Sequence, residues 1–320
     1  MSRYERPSVV VLGAGGFLGG HVCEAFTAAD ADVLGIVRSS TDGSAAVPFV
    51  RLDVGRAPYG QLADLLRSRA ADVVVNAAGA VWHVNEDELR HSNVVLPRRL
   101  LEVLCSLERR PRLVHLGSVQ EYGPGVAGVA LREDCPPTPV NAYGRSKLLA
   151  TEAVLRATEE GWLDGVVLRV ANVCGPRAPR GSLLGMIAAH LALVARRAPG
   201  EPPVPPLRLS PLRARRDFID VRDVADAVVA AARAGFGPVP PRERLLNIGR
   251  GEASGVRAVV ARLIELSGLD ASVIEEDEEL VSRADTEWHK VDIGLARRLL
   301  RWQPRRPLEQ SLRDLLVTPP

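Results

Sequence analysis

Tyr143 and Lys147 stand four residues apart in Tyr143-Gly144-Arg145-Ser146-Lys147. On a helix that spacing puts a phenol and an ammonium on one face, one turn apart. A free tyrosine ionises near ~10 and is a poor acid or base at neutral pH. A lysine charge within a few ångströms favours the phenolate and is expected to bring that pKa toward working pH. The pair suits proton transfer at a hydroxyl or ketone, although an isolated Y-x-x-x-K also fits an ordinary amphipathic helix. The match is not isolated. Near the other end of the chain, Ser8–Leu12 is a β-branched run followed at once by Gly13-Ala14-Gly15-Gly16-Phe17-Leu18-Gly19 and by a helical pattern to about Ala29. Strand, glycine turn and helix is the context in which backbone N–H groups approach a pyrophosphate and a helix N-terminus holds it. The spacing is G-x-x-G-x-x-G, on Gly13, Gly16 and Gly19; a tight turn without ligand is the structural alternative.

Taken in order, these motifs resemble the extended short-chain dehydrogenase/reductase family, the NAD(P)-dependent sugar-nucleotide epimerase/dehydratase/reductase group. Further segments carry the likeness along nearly the whole chain. Asp53 closes the expected strand 47–52, with Val54 next, where the family contacts adenine. Asn76-Ala77-Ala78-Gly79 looks like the family's turn beneath the cofactor. Gly117-Ser118-Val119-Gln120-Glu121-Tyr122-Gly123 resembles the S-S-x-x-V-Y-G segment, and residues 133–147 resemble E-x-x-P-x-x-P-x-x-x-Y-x-x-S-K. Residues 168–176 read like L-R-x-x-N-V-Y-G-P with Cys174 for the tyrosine, and residues 216–221 like R-D-F-I-H-V. The resemblance implies that Ser118, Tyr143 and Lys147 are catalytic. It implies a dinucleotide on Gly13, Gly16, Phe17, Leu18, Gly19, Asp53, Val54 and Asn76 to Gly79, and on the ribose side of Tyr143 and Lys147. For the sugar nucleotide it offers Asn172, Arg216 and Arg283, with Trp82 and His83 as candidate pocket walls.

An NAD-selective site carries Asp or Glu near the end of the second strand to bind the ribose 2′-hydroxyl. Here that position is Val37, followed by Arg38, Ser39 and Ser40. A guanidinium pairs bidentately with a 2′-phosphate and serines donate to it, so NADP(H) is favoured over NAD(H). After the catalytic threonine, dehydratases of this family place Asp-Glu; here Val119-Gln120 follows Ser118, so dehydration lacks its acid and base. An epimerase keeps NAD bound, whereas a reductase consumes and releases NADPH. The expected activity is therefore NADPH-dependent reduction of a nucleoside-diphospho-4-keto-6-deoxysugar. A nucleotide-sugar 4-epimerase is the alternative, and an NADP-sensing regulator on a dead reductase fold is the non-enzymatic one.

The chain has 320 residues, 46% hydrophobic and 25% charged, with a formal net charge of +2. These are globular values with no nucleic-acid or membrane signature. Four scattered cysteines and six histidines show no zinc or disulfide spacing, so reduced thiols, no metal and a cytoplasmic location are expected. Up to about residue 168 strand and helix patterns alternate, over 8–12, 16–29, 32–37, 47–52, 59–69, 72–76, 86–108, 112–117, 140–160 and 165–170. That alternation predicts an α/β, Rossmann-type doubly wound parallel sheet with right-handed crossovers. Pro97 should kink or interrupt the 86–108 helix. A loop over 174–182, a helix over 183–197, a proline-rich stretch over 199–211 and a helix over 221–234 follow. The predicted division is a cofactor domain of 1–172 plus about 217–248, and a smaller C-terminal substrate-binding lobe of about 173–216 and 249–320. The resemblance also implies a homodimer through a four-helix bundle of 86–108 and 140–160. Leu100, Leu101, Val103, Leu104, Leu148, Leu149, Val154 and Leu155 are its expected apolar surface.

Overall fold

The computed structural model describes residues 6–38, 47–81, 84–198, 200–236, 241–271, 273–276 and 288–318. Its strands are β1 (Ser8–Leu12), β2 (Asp32–Val37), β3 (Phe49–Arg51), β4 (Val73–Asn76), β5 (Arg112–Ser118), β6 (Gly165–Val170), β7 (Asn172–Cys174), β8 (Leu207–Leu209), β9 (Arg215–Arg216), β10 (Phe218–Asp220), β11 (Leu245–Ile248), β12 (Ser254–Gly255) and β13 (Val273–Glu275). Seven of them make one parallel sheet in the order β11-β6-β5-β4-β1-β2-β3. This is the doubly wound arrangement expected from the alternating pattern, and its strand order reverses at β1 and β4, where such sheets hold ligands. A sheet covered on both faces needs apolar side chains on both sides of each strand. Val9, Val10 and Val11 of β1 and Val166, Val167 and Leu168 of β6 accordingly have no exposed surface.

The helices are α1 (Phe17–Ala28), α2 (Tyr59–Ser68), α3 (Glu86–Arg90), α4 (Leu96–Ser106), α5 (Ala142–Glu159), α6 (Leu183–Arg196), α7 (Val221–Arg233), α8 (Val256–Ser267), α9 (Gly294–Leu300) and α10 (Leu308–Val317). α1, α7 and α9 cover one face of the sheet and α2, α4 and α5 the other. The interruption expected from Pro97 is present in a specific form: a π-helical turn, His91–Val95, separates α3 from α4, and Pro97 lies in the first turn of α4. An α-helix would need the Pro97 nitrogen to donate to the Asn93 carbonyl, and proline has no N–H to give.

α6, α8 and α10 surround a third apolar core with Cys174, Leu209, Leu212 and Phe218, which forms the lobe. The sequence reading gave all of 249–320 to that lobe. Val291, Ile293, Ala296, Leu300 and Trp302 instead pack into the sheet core beside α1 and α7. The chain thus returns to the sheet before α10 closes the lobe. A second correction concerns the helix-bundle surface. Leu100, Leu101, Val103 and Leu104 are at most 8% exposed, and Val154 is 1% exposed. They fill the core between α4, α5 and the sheet, each contributing about 1.5–3 kcal/mol by burial. Of the residues expected on that surface, Leu149 alone is largely exposed, at 55%. Among the described residues no helix is long and apolar enough to cross a membrane.

Candidate active site

The glycine turn is shaped by contact as much as by flexibility. Gly13 has φ +78°, and a Cβ there would lie 2.7 Å from the Ala78 nitrogen; one on Gly19 would lie 2.0 Å from the Gly13 carbonyl. Any side chain would push the first turn of α1 off the end of β1, or the β1 turn off the Asn76–Gly79 turn. Gly16 is the N-cap of α1 and supplies no side-chain acceptor, so the first N–H groups of the helix remain available to an anion. Phe17 packs edge-on against His21 at 5.6 Å and touches the lobe core, while Leu18 packs on the sheet core.

Gly13, Gly16, Arg38, Asp53, Val54, Ala77, Ala78 and Gly79, all expected cofactor contacts, line one cavity of about 190 Å³. His91 and Ser92 of the π-turn complete its wall; neither was singled out from sequence. Asp53 Oδ1 accepts from the Gly55 N–H and from His91 Nε2, both at 3.0 Å. Arg38 donates to Glu88 Oε1 at 2.9 Å. The guanidinium expected to greet a 2′-phosphate therefore already has a carboxylate partner, held where Asn85 caps α3 through the Glu88 N–H. Ser39, Trp82, His83 and Arg283, also candidates, lie outside the described residues.

Strand register brings the remaining groups to one edge. Leu12 is opposite Asn76, Asn76 opposite His115, and Ser118 opposite Val170. Asn76 is fully buried; its carbonyl accepts from the Ala78 N–H at 3.2 Å and its amide donates to His115 Nδ1 at 3.1 Å. His115 is held neutral, its pKa well below 6.5, first by burial and then by the Lys147 charge.

Ser118 ends β5 and starts a 3₁₀ turn, Val119–Glu121. Its hydroxyl accepts from the Gln120 N–H and its own N–H donates to Glu121, a reciprocal cap. α5 begins at Asn141, whose side chain accepts from the Gly144 N–H at 2.7 Å. A Cβ on Gly144 would lie 2.4 Å from the Gln120 carbonyl, so only glycine lets the helix dock on the Ser118 turn. In that position the Ser118 hydroxyl is the polar side chain that acts on the Tyr143 phenol. Burial pushes the Tyr143 pKa up to about 12, with Ser118 opposing and Glu121 adding to the rise. Lys147 is 5% exposed and donates to the Leu116 carbonyl; burial lowers its pKa to about 8 against the pull of Glu121. The expectation that Lys147 lowers the tyrosine pKa is thus not realised in this state. Desolvation outweighs any help from the ammonium, which is engaged with backbone. The phenol is neutral, which suits a proton donor.

Two buried residues that sequence reasoning passed over complete the scaffold. Asn93, in the π-turn, exchanges hydrogen bonds with the Ala80 backbone at 2.9 and 2.8 Å and donates to Ser146 Oγ at 3.1 Å. Ser146 in turn donates to the Tyr143 carbonyl at 2.7 Å. Glu121 pairs with Arg169 at 2.7 Å, both nearly without exposure. The sequence signals were a Pro four residues after Asn93 and an acid where the S-S-x-x-V-Y-G pattern has valine.

On the lobe side, Asn172 begins β7 and its amide donates to the Asp217 carbonyl at 3.1 Å. Arg216 is half-buried on β9, paired with Ser254 of β12. Asp217 between them is fully buried and accepts from the N–H groups of Arg250, Gly251 and Val291. Burial raises its pKa to about 6 despite those bonds. The Arg216-Asp217-Phe218 segment thus locks the end of β11 and the returning chain at Val291 to the strand that presents Arg216.

A family model described as the NAD dependent epimerase/dehydratase family matches residues 9–249. The chain is 42% identical over 307 residues to a dTDP-6-deoxy-L-talose 4-dehydrogenase (NAD(P)(+)) of Kitasatospora kifunensis, covering 96% of this chain and 94% of that one. It is 32% identical over 345 residues to a UDP-glucose 4-epimerase of Azospirillum brasilense, with the same coverage of 96% and 94%. Among solved structures it resembles MoeE5 in complex with UDP-glucuronic acid and NAD, with TM-score 0.80, 25% identity and coverage of 96% and 97%.

Proposed function

The chain belongs to the NAD dependent epimerase/dehydratase family, and we propose that this nucleotide-sugar-modifying, NAD(P)-dependent enzyme is an NADPH-dependent 4-ketoreductase of a nucleoside-diphospho-4-keto-6-deoxyhexose. The observation that carries the reading is a neutral Tyr143 phenol beside Ser118, with no acid at positions 119 and 120. Val119 is 2% exposed in the sheet core, and Gln120 Oε1 accepts from Asn141 at 3.2 Å. Glu121 is turned inward to Arg169. Dehydration needs an acid and a base at the sugar C5–C6 bond, and positions 119 and 120 supply neither.

The cofactor supplies a hydride at its nicotinamide when bound. Tyr143 gives its proton to the alkoxide oxygen that forms at the sugar C4 as the hydride arrives. Ser118 donates to the same oxygen and holds it against the phenol. Lys147, with a pKa of about 8 and three donors, is positioned to leave the Leu116 carbonyl for the nicotinamide ribose. Asn172 and Arg216 face the substrate diphosphate from β7 and β9. The similarity to a 4-dehydrogenase of a dTDP-linked 6-deoxyhexose supports this assignment, since oxidation at C4 and reduction of the 4-ketone are one reaction in two directions. A 4-epimerase reading draws on the same three catalytic residues, on the epimerase relative, and on Glu88 beside Arg38, which leaves NAD acceptable. A cofactor sensor would have no use for the Ser118–Tyr143 pair.

Incubation with NADPH and a set of nucleoside-diphospho-4-keto-6-deoxyhexoses separates the readings. Oxidation of NADPH in step with a 4-hydroxy product supports the reductase. Isomerisation of a 4-hydroxy sugar without net oxidation would replace it with the epimerase, and binding without turnover would remove both. A 6-hydroxylated substrate should give no 4-keto-6-deoxy product by mass spectrometry.

A further inference from the structure

Glu121 has no exposed surface, and its hydrogen bonds join three elements of the site. One carboxylate oxygen accepts from the Ser118 N–H at 2.7 Å and from the Thr151 hydroxyl at 3.0 Å; the other accepts from Arg169 Nε at 2.7 Å. Ser118 ends β5, Thr151 lies one turn beyond Lys147 on α5, and Arg169 is on β6. Room for the carboxylate is built in, because a Cβ on Gly117 would lie 2.7 Å from Glu121 Oε1. The S-S-x-x-V-Y-G pattern that this segment resembles has valine at this position. Valine would seal the turn and join nothing. Stability alone is a weak reason for the acid, since a buried ion pair often does no better than apolar side chains of equal volume.

We propose that Glu121 is a positioning residue of this site: one buried carboxylate that pins the Ser118 turn to the helix carrying Tyr143 and Lys147 and anchors both to β6. The inference rests on the reductase reading of Ser118, Tyr143 and Lys147. The charged and titratable groups around Glu121 are Arg169 from β6 and Tyr143 and Lys147 from α5, with His115 of β5 acted on in turn by Lys147. Tyr122 follows it in the chain, under the Arg169 guanidinium at 4.4 Å, with Glu133 beyond. Arg169 is held by the Glu121 oxygen farther from Ser118. The carboxylate still acts on Tyr143 and Lys147, raising the pKa of each. It keeps the proton on the phenol and the charge on the ammonium.

Two variants test this. Thr151→Val removes the tie to α5 and leaves the charge; Glu121→Gln with Arg169→Gln removes both charges together and leaves no lone buried ion. In NADPH-dependent turnover, each should lower kcat at least about tenfold while the KM for NADPH changes less than about threefold, because a displacement near 1 Å can remove about 100-fold of rate. In the double variant, the loss of NADPH affinity as Lys147 deprotonates should also move to lower pH, a readout that requires no sugar. Wild-type kcat in both variants together with an unmoved affinity limb would overturn the proposal. Should no 4-keto sugar turn over even with the wild-type protein, the reductase reading fails, and the affinity limb alone decides: a move supports Glu121, no move overturns it. If the double variant does not fold, Thr151→Val decides, an unchanged kcat overturning the proposal.

Discussion

On the proposed NADPH reading, cofactor choice turns on a pair of side chains, and both can be altered. Arg38 lines the proposed cofactor cavity and is ion-paired to Glu88 at 2.9 Å, with side chains 55% and 37% exposed. A charge-assisted hydrogen bond to a 2′-phosphate is worth about 1.5–3 kcal/mol. To form it, Arg38 must give up an exposed ion pair worth about 0.2–1 kcal/mol. The net advantage for NADPH is therefore about 0.5–2.8 kcal/mol, or about twofold to a hundredfold in Kd. Arg38→Ala should weaken NADPH by that factor and leave NADH nearly unchanged. Glu88→Gln should act in the opposite direction. It frees Arg38 and removes a carboxylate that, at about 6 Å in water, repels each unit of phosphate charge by about 0.7 kcal/mol. NADPH should then tighten by about threefold to tenfold, with the gain shrinking in high salt. Fluorescence titration of each cofactor, with 2′,5′-ADP and 5′-ADP as competitors, measures both changes without turnover. If Arg38→Ala leaves the NADPH to NADH ratio within about twofold of wild type, Arg38 does not read the 2′-phosphate and the assignment of NADPH is wrong.

Tyr143→Phe should abolish reduction while NADPH still binds; more than about a tenth of the wild-type rate would exclude proton donation worth about 100-fold or more. Because Lys147 titrates near pH 8 rather than 10.5, the unfolded chain binds more protons between those values, so its contribution to stability rises with pH across that window. Lys147→Met should flatten that rise in urea unfolding, and NADPH affinity in the wild type should fall as pH passes about 8. The expected two-chain helix bundle now rests chiefly on Leu149, with Leu148 and Leu155 half-buried beside it. Light scattering should give a mass near twice 34.4 kDa, reduced to one copy by Leu149→Asp; a wild-type mass of one copy would remove the bundle.

What could be read from the chain beforehand was whatever depends on near neighbours. Ser8 to Gly19 shows a strand, a turn without side chains and a helix, and the contacts of Gly13 and Gly19 explain why only glycine serves there. Tyr143 and Lys147 advertise a shared helix face by their spacing. Pro97 announces a break in a helix, but not that the break is a π-turn that buries Asn93 against Ala80 and Ser146. Leucine periodicity over α4 shows that one side is apolar, but not whether its own sheet or a second chain covers it. Here the sheet does, for Leu100, Leu101, Val103 and Leu104.

The same limit applies to the charges. The tyrosine pKa follows from desolvation summed over the whole pocket, and four residues of helix spacing say nothing of that sum. Asp217 sits in an obvious motif beside Arg216, yet its partners are backbone N–H groups at 250, 251 and 291. It therefore ties β11 and the returning chain at Val291 to the strand beside it. Arg38 is the sharpest case. Its place after β2 argues for a phosphate, and the argument is sound for an isolated guanidinium. Glu88 enters fifty residues later, on a helix whose start is set by the Asn85 cap. On the proposed NADPH reading, selectivity at the ribose is a competition between a resident carboxylate and an arriving phosphate for one guanidinium. Its outcome is a difference of two energies of similar size, so a pair of this kind can shift the cofactor ratio only modestly.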